Sequence, residues 1–178
     1  MNLKDSKLLS KKQREDFFNK IKRTAKVKVI LIWPKEIDEA LESDNLNLNW
    51  LEAIKTAEII NELNPDKVIL DCPSPNKTAY VNYLRKLLNK DIEIIAEHKA
   101  ERFPIVAAAS IIAKVTRDRE VEKLKKKYGN FGPGYVSNEI TQKFLKENWD
   151  KYPELFRKSW ISWKNHKNAK EQKRLGDF

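Results

Sequence analysis

Asp71 is the first residue in this sequence with a clear chemical opportunity. It closes a short apolar run, Lys67-Val68-Ile69-Leu70-Asp71, which Pro73 and Pro75 prevent from continuing. Such a run reads as a buried strand, and ligands of α/β sheets gather beyond strand carboxyl ends. A carboxylate there can hold Mg2+ or Mn2+ through oxygen. It can also do no more than bond the turn that follows. A second β-branched run, Ile92 to Ile95, leads into the polar cluster Glu97-His98-Lys99-Ala100-Glu101. Glu101 stands just before a helix opened by Pro104, where the helix dipole favours an anion. His98 and His166 each lack a second histidine at ligand spacing, so no zinc site is expected. Asp118 lies between Arg117 and Arg119 and reads as an ion-pair partner.

Other residues suit a sugar-phosphate partner. Gly132-Pro133-Gly134-Tyr135 is a loop ending in an aromatic. Its glycines permit close backbone approach, and the tyrosine can stack on a ribose or base and bond a 2′-OH; a glycine turn with Tyr135 packed on the core is the alternative. Lys4-Asp5-Ser6-Lys7 offers an ammonium from Lys4 or Lys7 and the Ser6 hydroxyl for a phosphate; capping a helix is its other use. The 178 residues carry a formal charge of +10. That excess suits nucleic acid or an anionic membrane surface, or serves solubility alone. Cys72 is the single cysteine, so neither an intrachain disulfide nor a cysteine zinc cluster is expected, and a reducing cytoplasm fits. No apolar run approaches the roughly 20 residues that span a bilayer, and the N-terminus lacks the apolar stretch of a signal peptide.

The elements that must position these groups alternate. Asp5 and Ser6 cap a first helix through Lys20. Val27 to Trp33 reads as a strand ending at Pro34. Helices are expected over Trp50–Leu63 and Thr78–Leu88, flanking the strand Lys67–Asp71. The run Ile92–Ile95 then delivers its charged loop to a long helix from Pro104 to the stop signal Gly129-Asn130. That helix is apolar all round to Ala113 and amphipathic and basic from Lys114 onward. Ser137 caps a further helix to Trp149, and a last one covers Glu154 to Ala169. The pattern is α/β with at least partly parallel pairing, in one domain: a core over about residues 1–135, a helical extension over about 136–169 and a charged tail over about 170–178.

Five blocks of this sequence, LKDSKLLSKKQRE, HKAE, PIVAAASIIAKVTRDREVEKL, YGNFGPGY and RKSW, resemble type 2 ribonuclease H (ribonuclease HII) in its archaeal form. The likeness runs over nearly the whole chain. It implies a ribonuclease H-like mixed sheet with helices and a helical C-terminal extension, monomeric in the family. It further implies endonucleolytic cleavage of the RNA strand of RNA–DNA hybrids and at ribonucleotides embedded in DNA, with Mg2+ or Mn2+ in a two-metal site. By the same likeness Asp71 matches the family's third acidic residue, and Tyr135 with Gly132 and Gly134 reads the ribonucleotide. Lys99, Lys4, Ser6 and Lys7 contact substrate. Two departures matter. The family's opening strand pair, with its Asp-Glu and Gly-Arg-Gly motifs, has no counterpart here, which implies an N-terminally truncated sheet with an open edge at Val68–Asp71. The loop after Lys99-Ala100 is one residue short of the family's Lys-Ala-Asp pattern, so Glu101 either replaces the missing metal aspartate or is a surface residue. The alternative function is a catalytically incomplete fragment or degenerate relative that only binds duplex.

Overall fold

The structure, a computed structural model, describes residues 9–176. Ser10 starts the first helix, α1 (Lys11–Thr24): its hydroxyl accepts the Gln13 N–H, and the Gln13 side chain accepts the Ser10 N–H. This reciprocal cap satisfies two helix-start donors. The helix thus begins later than expected from Asp5 and Ser6, which lie outside the described residues. Then come α2 (Pro34–Glu42), α3 (Leu48–Leu63), β1 (Lys67–Asp71), α4 (Lys77–Arg85), β2 (Glu93–Glu97), a 3-10 turn at Ala100–Arg102, α5 (Pro104–Tyr128), α6 (Glu139–Asn148) and α7 (Ile161–Gly176). Asparagine side chains cap three of these, Asn47 for α3, Asn76 for α4 and Asn138 for α6, which moves the α6 cap one residue on from Ser137. The last helix begins later than Glu154 and runs through Gly176, so the charged tail is helical over most of its length.

The chain divides into two compact units. The first holds the described residues up to Leu31 together with Asn47–Arg117. Its sheet is one parallel pair, β1 with β2, in the register Val68↔Ile94 and Leu70↔Ala96. These four side chains pack on a cluster of Ala53, Ala57 and Ile60 of α3, Tyr80 and Leu84 of α4, Cys72 and Ile92. A helix must follow β1 before the chain can return to a parallel neighbour, and α4 is that crossover. A second cluster joins Phe18 and Ile21 of α1 to Ile111, Ile112 and Val115 of α5. The α/β class is as expected. One expected strand is absent: residues 26–33 are extended yet belong to no sheet. Among the described residues the sheet has two strands.

The second unit holds Ile32–Leu46 and the chain from Asp118. Its aromatic residues converge: Phe144 lies within ring-contact range of Phe131, Tyr152 and Phe156. Asp38 of α2 is buried, and its carboxylate accepts the N–H of Lys158 at 2.7 Å and of Ser159 at 3.1 Å. Burial opposes its ionisation, but hydrogen bonds from Ser159 and Lys158 and the Arg157 guanidinium win, holding the carboxyl below its ordinary value. Among the described residues no helix is long and apolar enough to cross a membrane.

Candidate active site

Asp71 ends β1 and Glu97 ends β2, and the two are register partners. In paired strands alternate side chains share a face. Lys67, Ile69 and Asp71 therefore stand beside Glu93, Ile95 and Glu97, opposite the face that packs on α3 and α4. Glu97, named in the sequence only as part of a polar cluster, thus stands directly beside Asp71. Glu97 is held by Lys77 at 3.4 Å and by Arg102 at 3.8 Å, so its charge is answered from both sides.

The turn that follows β2 is tied back to β1. The Ala100 N–H donates to Asp71 Oδ1 at 3.3 Å, and the Cys72 N–H donates to the Glu97 carbonyl at 2.8 Å. His98 Nδ1 lies 3.1 Å from the Cys72 carbonyl. Lys99 sits in the left-handed region, φ 55°. An L residue with a long side chain is held there only where its surroundings impose it. The result places Asp71, Lys99 and Glu101 at one corner of the first unit, linked through the buried Ala100.

A further carboxylate acts on this corner. Glu52, in the first turns of α3, still reaches solvent, yet its carboxyl is pushed up by the protein packed around it and then by the negative charge of Asp71. Tyr80 is pushed up to about 12, first by burial, with Glu52 and Cys72 contributing and a Thr56 hydrogen bond opposing. Glu52 and Thr56, one helical turn apart, thus present one face of α3 to the ground beneath Asp71. No sequence signal marked Glu52, because its nearness to Asp71 depends on how α3 packs. Glu97 did carry a signal: both strands are five residues long, begin with a charge and end in an acid.

The oxygen donors suit a hard divalent cation in kind but fall short in number. Among the described residues no group of three or more His, Cys, Asp or Glu side chains is disposed to hold a metal ion. The residues present therefore do not by themselves fit a two-ion site.

The glycine loop belongs to the second unit. Gly132 and Gly134 take φ of +68° and +75°, open to glycine at little cost. The loop is sewn to α6: the Gly134 N–H donates to Thr141 Oγ1, whose hydroxyl donates to the Phe131 carbonyl at 2.8 Å. A Cβ on Gly132 would come within 2.8 Å of Asn138 Oδ1. Tyr135 is 48% exposed, so it is not packed in a core. Lys4, Ser6 and Lys7 lie outside the described residues.

Parallel strands ending in carboxylates, with a turn bound back onto the first of them ahead of a long helix, define an α/β protein with an oxygen-rich strand-end corner. A family model described as Ribonuclease HII matches residues 1–163. The chain is 46% identical over 172 residues to a ribonuclease HII of Methanococcus maripaludis, covering 93% of this chain and 72% of that one. It is 42% identical over 167 residues to that of Pyrococcus horikoshii, covering 90% and 74%. The crystal structure of ribonuclease H2 from Pyrococcus horikoshii superposes with a TM-score of 0.82 at 39% identity, over 94% of this chain and 81% of that one. The Archaeoglobus fulgidus protein, solved as a PCNA:RNase HII complex, gives 0.79 at 36% identity, over 92% and 78%. The chain belongs to the ribonuclease HII family.

Proposed function

We propose that the chain acts on the RNA strand of RNA–DNA hybrids and on ribonucleotides embedded in DNA, as an endonuclease of the ribonuclease HII type. The observation that carries this reading is the family match over residues 1–163 together with Asp71 at a strand end facing an acidic neighbour. In this reading Asp71 and Glu101 would contribute carboxylates to a metal site that the described residues do not complete. Lys99 contacts the substrate backbone, and Tyr135, presented by Gly132 and Gly134, reads the ribose. Lys4, Ser6 and Lys7 are further phosphate contacts. A divalent ion, Mg2+ or Mn2+, held in a completed site would supply charge neutralisation and activate the attacking water in such hydrolysis.

Because the described carboxylates fall short of a metal cage, we infer that cleavage needs more than this chain displays. The chain alone, mixed with a duplex carrying one ribonucleotide and with Mg2+ or Mn2+, is expected not to cut. A version extended upstream by a strand pair bearing Asp-Glu and Gly-Arg-Gly, with one aspartate inserted between Ala100 and Glu101, is expected to cut, and Asp71→Asn in that version abolishes it. Metal-dependent cutting by the unaltered chain would refute the shortage; cutting that survives Asp71→Asn would remove Asp71 from the site.

The second reading, a module that binds duplex without cutting, draws on the same shortage of carboxylates and on the net charge of +10. Both readings expect hybrid affinity to fall by about a thousandfold or more between about 50 and 200 mM salt, through counterion release. Cleavage by the extended version separates them.

A further inference from the structure

The glycine loop of the second unit cannot set its own shape. Gly132 and Gly134 both take positive φ, and glycine enters other conformations as readily. The direction of Tyr135, the residue after Gly134, is therefore imposed from outside the loop. Residues at the start of α6 impose it. Thr141 Oγ1 accepts the Gly134 N–H at 3.2 Å, and its hydroxyl donates to the Phe131 carbonyl at 2.8 Å. The Asn138 N–H donates to the Tyr135 carbonyl at 2.9 Å, and Gln142 Nε2 donates to the Val136 carbonyl at 2.7 Å. Tyr135 is thus bracketed, by Thr141 on the residue before it and by Asn138 on its own carbonyl. Capping does not occupy the Thr141 hydroxyl. Asn138 Oδ1 accepts the Ile140 and Thr141 N–H groups, so the helix start is served without it. A hydroxyl has one donor and two acceptor sites; here the donor holds one side of the loop and an acceptor holds the other. The β-methyl of threonine narrows χ1 and keeps the hydroxyl between its two partners.

We propose, on the reading that Tyr135 meets the ribose, that Thr141 is a positioning residue: its hydroxyl clamps Phe131 to Gly134 and so aims the Tyr135 side chain at a 2′-OH. The clamp matters because recognition of one hydroxyl is steep in distance. Such a bond is made over about 2.5–3.0 Å, and a group that reads it must be held to within about 0.5 Å. Valine in place of Thr141 leaves the Phe131 carbonyl and the Gly134 N–H without their partner, and the two glycines then let the loop drift. The loss falls on the ribonucleotide-containing duplex more than on an all-deoxy one, because the phosphates are the same in both and the 2′-OH is in one alone.

The test is equilibrium binding of the full chain to two DNA duplexes of one sequence, one carrying a single ribonucleotide and one all-deoxy. The readout is the ratio of the two affinities. Thr141→Val, which keeps the shape and removes the hydroxyl, is expected to lower this ratio by about tenfold. Thr141→Ser, which keeps the hydroxyl, is expected to retain most of it. Tyr135→Ala is expected to lower the ratio as far as Thr141→Val does, and the two together to lower it no further. That non-additivity separates aiming Tyr135 from general support of the fold, whose loss adds in any background. An unchanged ratio in Thr141→Val, with Tyr135→Ala still damaging, overturns the proposal and leaves the Tyr135 reading in place. Equal losses in Thr141→Ser and Thr141→Val, or an additive double variant, overturn it in the same way. A parent chain that does not distinguish the duplexes, or does so untouched by Tyr135→Ala, removes the Tyr135 reading and the clamp with it. If Thr141→Val loses the folded circular-dichroism signal, Thr141→Cys, close in size with a weak donor, carries the test. Loss of that signal in both makes the hydroxyl a requirement of folding and overturns the proposal.

Discussion

Lys67–Asp71 and residues 26–31 have much the same composition, valine, isoleucine and leucine after an opening lysine, and only the first is a strand. Lys67–Asp71 has β2 on one edge and two helices beneath it. Residues 26–31 have helices beside them and no strand on either edge among the described residues. The difference shows that a strand is a property of a pair. Extended conformation and apolar alternation are local, but hydrogen bonding is supplied by another stretch of chain. Among the described residues no such stretch meets residues 26–31, and Val29 and Leu31 there are 38 and 43% exposed.

The largest effect that would test this contrast is on stability. Leu84 is fully buried under the paired strands, and Leu84→Ala is expected to cost about 2–5 kcal/mol in denaturant unfolding. Val29→Ala on the unpaired segment is expected to change stability by less than about 0.5 kcal/mol. Equal losses at both places would mean that residues 26–31 are packed as firmly as β1.

A middle effect asks whether an unpaired backbone donor costs anything once water is excluded. Asp38→Ala leaves the N–H groups of Lys158 and Ser159 without their acceptor in a buried place. The expected loss is about 2 kcal/mol, whereas the unbonded groups of residues 26–31 can be hydrated. The pH sign follows from the lowered value of Asp38. Its contribution is present above the unfolded value near ~4 and is lost as pH falls through the lower folded value. Asp38→Asn should therefore flatten the acid limb of a pH–stability curve; an unchanged limb would show that Asp38 does not govern it.

Two smaller effects concern the corner at Asp71. Lys99→Gly relieves a left-handed backbone and is expected to stabilise by about 1 kcal/mol while weakening hybrid binding. Destabilisation instead would show that the Lys99 side chain, not the backbone, holds the turn. Glu52 is raised, so it favours the folded state below its unfolded value and loses that contribution as pH rises through the folded one. Glu52→Gln should then raise the unfolding free energy slightly at neutral pH and not at acid pH, by no more than about 0.5 kcal/mol after solvent screening. A rise at both pH values would point to packing in place of charge.

Much of this was legible in the sequence. Pro104 and Gly129 bracket α5, and the apolar run before Asp71 with prolines after it gave β1 its limits to the residue. The bond from Ala100 to Asp71 was not legible, because it joins residues 29 apart. Nor was the nearness of Glu52, which depends on α3 and α4 packing together. The reading of Val27–Trp33 as a strand failed for the reason already argued: periodicity reports which faces a segment could bury, and is silent about whether a neighbour is there to pair.

Cys72 gives the corner at Asp71 a built-in clock. It is the single cysteine of the chain, and it lies buried directly after Asp71, its thiol directed to the Ser74 carbonyl. A thiol reagent can reach it only when the end of β1 lifts away from α3 and α4. The labelling rate, divided by that of an unfolded chain, is then the fraction of time this corner spends open. One chromogenic disulfide reagent and a stopwatch would show how often the ground beneath Asp71 gives way, with no substrate, metal or mutation required.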